Sequence, residues 1–270
     1  MKKNNWLREQ IASGRCVRSI WLELASPAVA EAAVWAGWDC VMIDNEHGPA
    51  GLETTANMLR AIEAAGGHAL VRAPWNDQVY LKRLMEIGAK SIMVPMICDK
   101  EAAEAAVAAT HYPPKGTRGY AAPVGRASHY GTNTDYLHSS NDELFLIAQI
   151  EHKDAIPNIE EIAAVDGIDM LFIGPNDLAG TIGLLEQLGE DAAEELSATA
   201  EARITATGKL MGTVGRPRWT FGELKDRGHS LLIGPGDIGL FMSAAQAAAR
   251  DMDKETGQTA PKPVPSSNHY

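Results

Sequence analysis

Two carboxylates stand at the ends of two successive apolar runs in the middle of the chain. Glu151 directly follows the run 146–150, and Asp177 follows the run 170–173 after the sequence Gly-Pro-Asn. The residues between the runs have helical spacing, so the stretch predicts two strands joined by a helix. The carboxyl ends of neighbouring parallel strands lie about 4.8 Å apart and point the same way. Both carboxylates can therefore face one point, which suits a hard divalent cation.

The turn after the second run adds a second kind of binding group. Gly174-Pro175 predicts a tight turn, and the backbone N–H groups that open the following helix would face the same point, ready for an anion. The alternative is that Glu151 and Asp177 are only acidic residues at helix starts, which would make this an ordinary strand–helix junction.

Further polar residues stand at the ends of other predicted strands. The sequence IDNEHGP places Asp44, Glu46 and His47 on one loop, VRAPWND places Arg72 at the end of the next strand, and Gln149 lies just before Glu151. An imidazole titrates near neutral pH, so His47 could be a general base or an ordinary loop histidine. Arg72 offers a rigid fork for a carboxylate or an enolate oxygen, unless it forms only a surface ion pair.

Other common catalytic arrangements are absent from the sequence. It contains no HxH, HExxH or GxSxG motif, and its three cysteines have no adjacent base. Lys90 and Lys209 stand at strand starts, whereas a Schiff-base lysine in a barrel would need the opposite end. Metal-assisted chemistry is therefore the most economical interpretation.

These residues require a scaffold that brings several strand ends together. Apolar runs alternate with helical segments along the whole chain, which predicts a single-domain (β/α)8 barrel of the α/β class. An open doubly wound sheet is the alternative, but no GxGxxG follows the first strand. The predicted strands are 17–22, 38–43, 68–72, 91–94, 144–150, 169–173, 209–213 and 230–234. The predicted helices are 27–36, 51–65, 77–88, 100–109, 155–164, 190–207, 217–227 and 236–251.

The domain boundaries follow from composition. A leading helix over 3–13 and the barrel predict one domain over residues 1–252, and the polar, Pro-rich residues 253–270 predict a disordered tail. The segment 112–141 is the longest irregular one, and a loop of that length is usually functional or mobile. Within it, Arg118 is expected to be structural, whereas the role of Arg126 stays open.

Charge and composition restrict the partners. A formal net charge of −11 over 270 residues argues against nucleic acid or an anionic membrane surface, although a small anionic substrate is still possible. The three widely spaced cysteines favour a reducing cytoplasm. No run approaches about 18 apolar residues, so neither an export signal nor a membrane span is expected.

Several long motifs in the same order resemble one known family. They are WLELASPAVAEAAVWAGWDCVMIDNEHGP, VRAPWND, KRLMEIGAKSIMVPM, YPPKGTRGYA with RAS, and QIEHKDAIPNIEEIAAVDGIDMLFIGPNDLAGTIG. Over roughly residues 15–250 the chain resembles the HpcH/HpaI family of class II, metal-dependent pyruvate aldolases. The resemblance implies a (β/α)8 barrel and a homo-oligomer, often a hexamer built from dimers that exchange the last helix.

The resemblance also implies roles for individual residues. Glu151 and Asp177 match the two metal carboxylates of the family, with Mg²⁺, Mn²⁺ or Co²⁺ as the ion. Arg72 matches the arginine that holds the keto or enolate oxygen. His47 matches the acid–base histidine, with Asp44 and Glu86 assisting. Gln149 matches a glutamine near the metal waters, and the turn Gly174-Pro175 with the N–H groups near Asn176 and Asp177 matches the place of the oxo acid's carboxylate. Two features depart from the family pattern: Asn176 replaces a small residue, and the wall 212–215, which contains Val214, differs and would select the aldehyde.

The predicted reaction is the reversible cleavage of a 4-hydroxy-2-oxo acid into pyruvate, or a close analogue, and an aldehyde. The expected partners are therefore a small oxo acid and an aldehyde. One alternative is a Claisen-type condensation or cleavage between an acyl-CoA and an oxo acid, which relatives on the same barrel perform. Another is a non-catalytic ligand-binding barrel, which the joint presence of His47, Arg72, Glu151 and Asp177 disfavours.

Overall fold

The chain folds as a closed barrel of eight parallel strands surrounded by helices. The computed structural model describes residues 5–38 and 40–257. Each strand pairs with the next in chain order, and β8 pairs with β1. The strands are β1 (Val17–Leu22), β2 (Cys40–Asp44), β3 (His68–Arg72), β4 (Ser91–Val94), β5 (Phe145–Ile150), β6 (Met170–Ile173), β7 (Leu210–Val214) and β8 (His229–Gly236). The predicted (β/α)8 barrel is therefore confirmed.

Helices follow the strands on the outside of the barrel. The α-helices of the described residues are α1 (Trp6–Ala12), α2 (Pro27–Trp35), α3 (Leu52–Ala64), α4 (Gln78–Glu86), α5 (Lys100–Thr110), α6 (Tyr136–Glu143), α7 (Ile159–Ala164), α8 (Pro175–Gly180), α9 (Asp191–Thr207), α10 (Phe221–Asp226) and α11 (Asp237–Thr256). Short 3-10 turns cover Ala122–Val124, Arg126–Ser128 and Lys153–Asn158. No helix among the described residues is long and apolar enough to cross a membrane.

Successive side chains of each strand point alternately into the barrel and towards the helices. In β2, for example, Cys40 and Met42 pack in the cluster that fills the barrel interior. Val41 and Ile43 belong to the larger cluster between the strands and the helices. Because both faces are buried, the strands read as continuous apolar runs. The same alternation decides which polar residues beyond the strand ends face the barrel axis.

Helix α1 closes the amino-terminal end of the barrel. Leu7 is fully buried in the interior cluster, and the ring of Trp6 stacks on His68 at the start of β3 with ring centroids 4.1 Å apart. The Asn5 amide donates to the backbone carbonyl of Lys90 and to Ser91 Oγ. The open end of the barrel is therefore the carboxyl end of the strands, where barrel enzymes carry their active sites.

The structure corrects three details of the sequence interpretation. The segment 155–164 begins as the 3-10 turn Lys153–Asn158, which contains Pro157, and only then continues as α7. The irregular segment 112–141 contains two 3-10 turns and most of α6, and it connects α5 to β5 at the amino-terminal end of the barrel, away from the open mouth of its own chain. The last helix continues to Thr256, so residues 253–256 are helical, and the rest of the predicted tail from residue 258 lies outside the described residues.

Candidate active site at the carboxyl ends of the strands

Strand alternation brings polar side chains together at the open end of the barrel. Asp44 ends β2 and lies opposite Arg72 in the β2–β3 register. Asp44 and Arg72 share the inward face of their strands with Met42 and Leu70, which pack in the barrel interior. Gln149 takes the same inward position on β5, two residues after Ile147. The predicted residues Asp44, Arg72 and Gln149 are therefore gathered over one interior core.

Arg72 is held rigidly from several directions. Its Nε donates to Asp44 Oδ1 at 2.9 Å and its Nη2 donates to Asp44 Oδ2 at 2.6 Å. Its Nη1 lies 3.1 Å from Glu46 Oε2, and its guanidinium carbon lies 4.5 Å from the centre of the Trp21 ring. Arg72 is buried, so the surface ion pair considered from the sequence is wrong. Burial lowers the pKa of Arg72, but the hydrogen bonds to Asp44 more than offset this, and the guanidinium stays charged.

Glu151 is buried with a hydrogen bond on each oxygen. The backbone N–H of Met96 donates to its Oε1 at 2.8 Å, and the Gln149 amide donates to its Oε2. Burial is the main cause that raises the pKa of Glu151, and the charges of Glu46 and Asp177 add to it. The hydrogen bond from Met96 and the charge of Arg72 act in the opposite direction, and the resulting pKa is about 7. A carboxylate in this setting is ionised at neutral pH most readily when a cation lies beside it.

The turn Gly174-Pro175 leads from β6 into α8 and lies against Glu151. A Cβ atom on Gly174 would lie 2.9 Å from both Glu151 Oε2 and Gln149 Nε2, so only glycine leaves these groups in place. Pro175 takes the first helical position of α8, where a missing N–H costs no hydrogen bond. Asp177 follows in the first turn with an exposed side chain, and the side chain of Asn176 accepts the N–H of Glu186 at 2.9 Å.

His47 lies at the rim, and its nearest carboxylate is Glu46. The His47 side chain is 63% exposed, and its Nε2 lies 4.0 Å from Glu46 Oε2. Asp44 Oδ1 accepts the backbone N–H groups of Glu46 and His47, at 3.0 and 3.4 Å, but does not contact the imidazole. Asp44 therefore shapes the loop and holds Arg72, whereas Glu46 is the acid beside the histidine. Because residues two apart on a strand point to the same face, the spacing of Asp44 and Glu46 in the sequence could have indicated that Glu46 also faces the mouth.

The expectation that Glu86 assists His47 is not met within this chain. Glu86 is the last residue of α4, and its Oε1 accepts hydrogen bonds from Arg118 Nη2 at 2.7 Å and Nε at 3.2 Å. Helix α4 starts beside the end of β3 and runs back towards the start of β4, a distance of about 13 Å for nine residues. Glu86 is therefore at the amino-terminal end of the barrel, where it holds the buried Arg118 in the long loop. Arg126 lies at the same end and binds Glu63 and the carbonyl of Ile87.

A further acid at the mouth, Glu23, was not identified from the sequence. Glu23 stands two residues beyond Trp21 and so continues the inward face of β1. Its backbone N–H donates to Asp237 Oδ1 at 2.9 Å, which ties the end of β1 to the start of α11. Burial, Asp44 and Asp237 all raise the pKa of Glu23. The two-residue period from Trp21 was the signal in the sequence that could have indicated Glu23.

One side of the mouth is formed by small and apolar residues at the end of β7. Val214 packs against the interior cluster, and Thr213 Oγ1 donates to the carbonyl of Ile173 at 3.1 Å. A Cβ atom on Gly215 would lie 3.2 Å from the half-exposed ring of Phe221. Val214 is thus at the mouth, as predicted, and Phe221 adds an aromatic ring to this wall.

The oxygen donors of Glu151, Asp177 and Gln149 fit a hard divalent cation. Gln149 Oε1 is buried without a hydrogen-bond partner among the described residues, and the Gly174 turn leaves the space beside Glu151 open. All three groups supply the oxygen ligands that such ions prefer. No group of three or more His, Cys, Asp or Glu side chains within residues 5–38 and 40–257 has metal-binding spacing, so the protein would supply two carboxylates at most and other oxygen ligands would complete the set.

Comparisons with known proteins agree with this geometry. The model of the HpcH/HpaI aldolase/citrate lyase family matches residues 18–215. The chain is 41% identical over 242 residues to a 4-hydroxy-2-oxovalerate aldolase of Novosphingobium aromaticivorans, which covers 89% of this chain and 92% of that protein. A crystal structure of an HpcH/HpaI aldolase/citrate lyase family protein from Burkholderia cenocepacia superposes with a TM-score of 0.86 at 31% identity, covering 92% of this chain and 99% of the other. The citrate synthase SbnG superposes with a TM-score of 0.83 at 26% identity, covering 93% and 99%.

Proposed function

The chain belongs to the HpcH/HpaI aldolase/citrate lyase family and is a carbon–carbon lyase, and from this premise we propose that it is a divalent-metal-dependent aldolase of 4-hydroxy-2-oxo acids. The products would be pyruvate, or a close analogue, and an aldehyde. The observation that carries the proposal is the buried Arg72, fixed by Asp44 and Glu46 beside the two carboxylates Glu151 and Asp177.

The cleavage needs one base and a site that stabilises negative charge. His47 accepts the proton of the C4 hydroxyl, the C3–C4 bond breaks, and an aldehyde forms at C4. The electron pair of that bond passes into the enolate of the oxo acid, whose oxygen is held by the guanidinium of Arg72. Return of the proton to C3 gives pyruvate and restores the histidine. The reverse sequence adds pyruvate to an aldehyde.

Each of the neighbouring residues has a separate task in this scheme. Asp44 keeps the guanidinium in one plane through its two hydrogen bonds, so little reorganisation is needed when the charge develops. Glu46 orients the rim histidine, and the N–H groups of Asn176 and Asp177 at the start of α8 receive the carboxylate of the oxo acid. Glu151 and Asp177, with Gln149, would hold Mg²⁺, Mn²⁺ or Co²⁺. That ion, when bound, supplies Lewis-acid stabilisation of the enolate charge.

The metal requirement is tested with the purified enzyme and a coupled assay for released pyruvate. Exhaustive chelation is expected to abolish turnover of a 4-hydroxy-2-oxo acid, and Mg²⁺, Mn²⁺ or Co²⁺ should restore it. Asp177→Ala should lose both metal affinity and turnover while keeping its circular dichroism spectrum. Full activity after chelation would disprove the metal dependence.

A Claisen-type reaction is the second candidate, because the structure resembles the citrate synthase SbnG. It would use the same enolate site but would release a thiol from an acyl-CoA. A thiol-release assay with acetyl-CoA and an oxo acid, run beside the pyruvate assay on one enzyme preparation, separates the two reactions. A homo-oligomer stays a prediction of the family resemblance, and size-exclusion chromatography with light scattering measures it.

A further inference from the structure

The mouth of the barrel carries many more acidic than basic groups. Six carboxylates at this end of the described chain act on one another electrostatically. They are Glu23, Asp44, Glu46, Glu151, Asp177 and Asp237. Arg72 forms ion pairs with two of them, Asp44 and Glu46, and His47 lies at the rim 4.0 Å from Glu46. Lys153 stands two residues after Glu151 in the sequence, but its ion pair is with Asp154, which is not one of these six carboxylates. A divalent cation at Glu151 and Asp177 would offset part of the charge, and the carboxylate of a bound oxo acid would add to it again.

Glu23 has no assigned role in the chemistry, yet its position is closely fixed. Asp237 accepts the N–H groups of Glu23 at 2.9 Å and of Leu24 at 3.2 Å, so the backbone at the end of β1 is pinned. A Cβ atom on Gly236 would lie 2.5 Å from Glu23 Oε2, so this glycine leaves room for the carboxylate. Alternation from Trp21, whose ring covers Arg72, directs the Glu23 side chain towards the mouth.

The Glu23 carboxylate is stabilised only at longer range, by the charges of Arg72 and His47, and burial together with the charges of Asp44 and Asp237 outweighs this and raises its pKa. No ion pair or side-chain hydrogen bond to its carboxylate is present among the described residues. The side chain is half-buried, so its field is screened less than that of a surface acid. Exposed apolar side chains also lie on the segments that follow three of the strands at the same end of the barrel. They are Leu24 after β1, Trp75 after β3 and Phe221 after β7.

We propose that the acceptor aldehyde of this enzyme is uncharged, and that Glu23 excludes aldehydes that carry a carboxylate. The inference rests on the proposed aldolase function and adds the charge class of its second substrate. An anionic aldehyde would enter a site that already holds these six carboxylates and the carboxylate of the oxo acid, where Arg72 is already paired with Asp44 and Glu46. Like charges several ångströms apart in a partly buried site change an equilibrium by about tenfold or more. An uncharged aldehyde is not repelled by these carboxylates and can pack against the apolar side chains of the mouth.

The test compares two aldehydes of equal length, butyraldehyde and succinic semialdehyde, which differ in a terminal methyl or carboxylate group. Each is condensed with pyruvate at pH 8 on the full chain at saturating Mg²⁺, and the product is measured by chromatography. The kcat/KM for butyraldehyde is expected to exceed that for succinic semialdehyde by about tenfold or more. Raising the ionic strength from about 0.02 M to about 0.5 M should bring the two kcat/KM values closer together, because salt screens the repulsion between the carboxylates.

Glu23→Gln isolates the contribution of the one side chain. The variant keeps the size of the residue and removes its charge, so the ratio of the two kcat/KM values is expected to fall by about threefold to tenfold. Glu9→Gln is the matched control, because Glu9 is exposed on α1 at the opposite end of the barrel and its loss should leave the ratio unchanged. Thermal unfolding of both variants checks that the fold is retained.

The outcomes separate this inference from the aldolase proposal. Turnover of both aldehydes with similar kcat/KM, or a preference for succinic semialdehyde, would overturn the charge preference and leave the aldolase reaction standing. A preference for butyraldehyde that is insensitive to Glu23→Gln would overturn the assignment to Glu23. Absence of turnover with either aldehyde would overturn the aldolase proposal and the inference with it.

Discussion

The backbone N–H of Met96 donates a hydrogen bond of 2.8 Å to Oε1 of Glu151, from a residue whose φ is +55°. The left-handed region disfavours residues with a Cβ atom and costs about 1–3 kcal/mol when a side chain is forced into it. The strain lies directly after β4, at the point where the chain turns over the mouth of the barrel. The strained conformation of Met96 therefore directs its backbone N–H at Glu151, the carboxylate that would bind the metal.

Two substitutions at Met96 measure the free energy that the left-handed conformation costs. Both Met96→Gly and Met96→Ala remove the side chain and keep the N–H, but only glycine adopts a positive φ freely. We expect Met96→Gly to be more stable than Met96→Ala by about 1 kcal/mol in urea unfolding. At the exposed Ala105, inside α5, the preference should reverse, and Ala105→Gly should lose about 1 kcal/mol. Equal stability of the two Met96 variants would show that the left-handed backbone carries no strain.

Glu151 illustrates a conflict between stability and function. Its pKa in the folded protein is about 7, above the ordinary 4.5. In metal-free protein the contribution of Glu151 to the free energy of unfolding is therefore fully present below pH 4.5 and is lost as the pH rises through 7. At about 1.36 kcal/mol per pKa unit, ionising this group costs about 3 kcal/mol at pH 8. We expect Glu151→Gln to be more stable than the unaltered chain in the presence of a chelator at pH 8. Urea unfolding measures this difference.

The same variant should behave in the opposite way when metal is added. Mn²⁺ should stabilise the unaltered chain, because ligands that bind only the folded state shift its unfolding. It should not stabilise Glu151→Gln, which should also lack aldolase activity. Calorimetric titration with Mn²⁺ gives the affinities directly. A variant that still binds Mn²⁺ with unchanged affinity would exclude Glu151 as a ligand.

Much of the barrel was predictable from the sequence because its strands are buried on both faces. Each predicted strand falls within two residues of the observed one, and Asp44, Arg72, Gln149 and Glu151 lie where the strand ends predicted. Features that depend on closure of the whole fold were not predictable. The positive φ of Met96 results from contacts after β4 that no local pattern encodes.

Other parts were predictable in principle and were missed. Glu23 was not identified, although alternation from Trp21 places it on the inward face, and Glu46 was named without a role, although alternation from Asp44 places it there. Glu86 shows the converse case, because the family resemblance matched a sequence position without regard to the direction of α4. A residue at the end of a barrel helix lies near the amino-terminal ends of the strands of its own barrel, away from the mouth, whatever its chemistry suggests.

Arg72 should not be replaceable by lysine, although the charge is the same. The guanidinium spans both oxygens of Asp44 and reaches Glu46 with a third nitrogen, whereas an ammonium group offers one point of contact. We expect Arg72→Lys to lower kcat by about 10²- to 10³-fold, the usual loss when a group that stabilises an oxyanion is removed. Exchange of the pyruvate methyl protons in D₂O, followed by NMR, reports enolate formation without any aldehyde. Arg203→Lys, at an exposed ion pair with Glu160, is the control and should exchange normally.

A second buried ionic cluster fixes the wall of the mouth from outside the barrel. Glu201 on α9 accepts hydrogen bonds from Arg216, which follows β7, from Arg227 Nε at 2.9 Å and from His229 Nε2 at 2.9 Å. Arg216 stands two residues after Val214, so this cluster holds the segment that follows β7 at the mouth of the barrel. Burial opposes ionisation of Glu201, but the hydrogen bonds from His229 and Arg227 outweigh it and lower its pKa to about 2.

The depressed pKa of Glu201 predicts how the fold responds to acid. Its contribution is fully present above the ordinary pKa of 4.5 and is lost as the pH falls from 4.5 towards 2, a loss of about 3 kcal/mol. We expect Glu201→Gln to destabilise the chain at pH 7 by about 3–5 kcal/mol, because it leaves buried cations without their partner. Between pH 5 and pH 3, urea midpoints should fall more steeply for the unaltered chain than for the variant. Glu160→Gln removes an exposed partner of Arg203 and should change little at either pH, so equal effects of the two substitutions would contradict a stabilising role for the buried cluster.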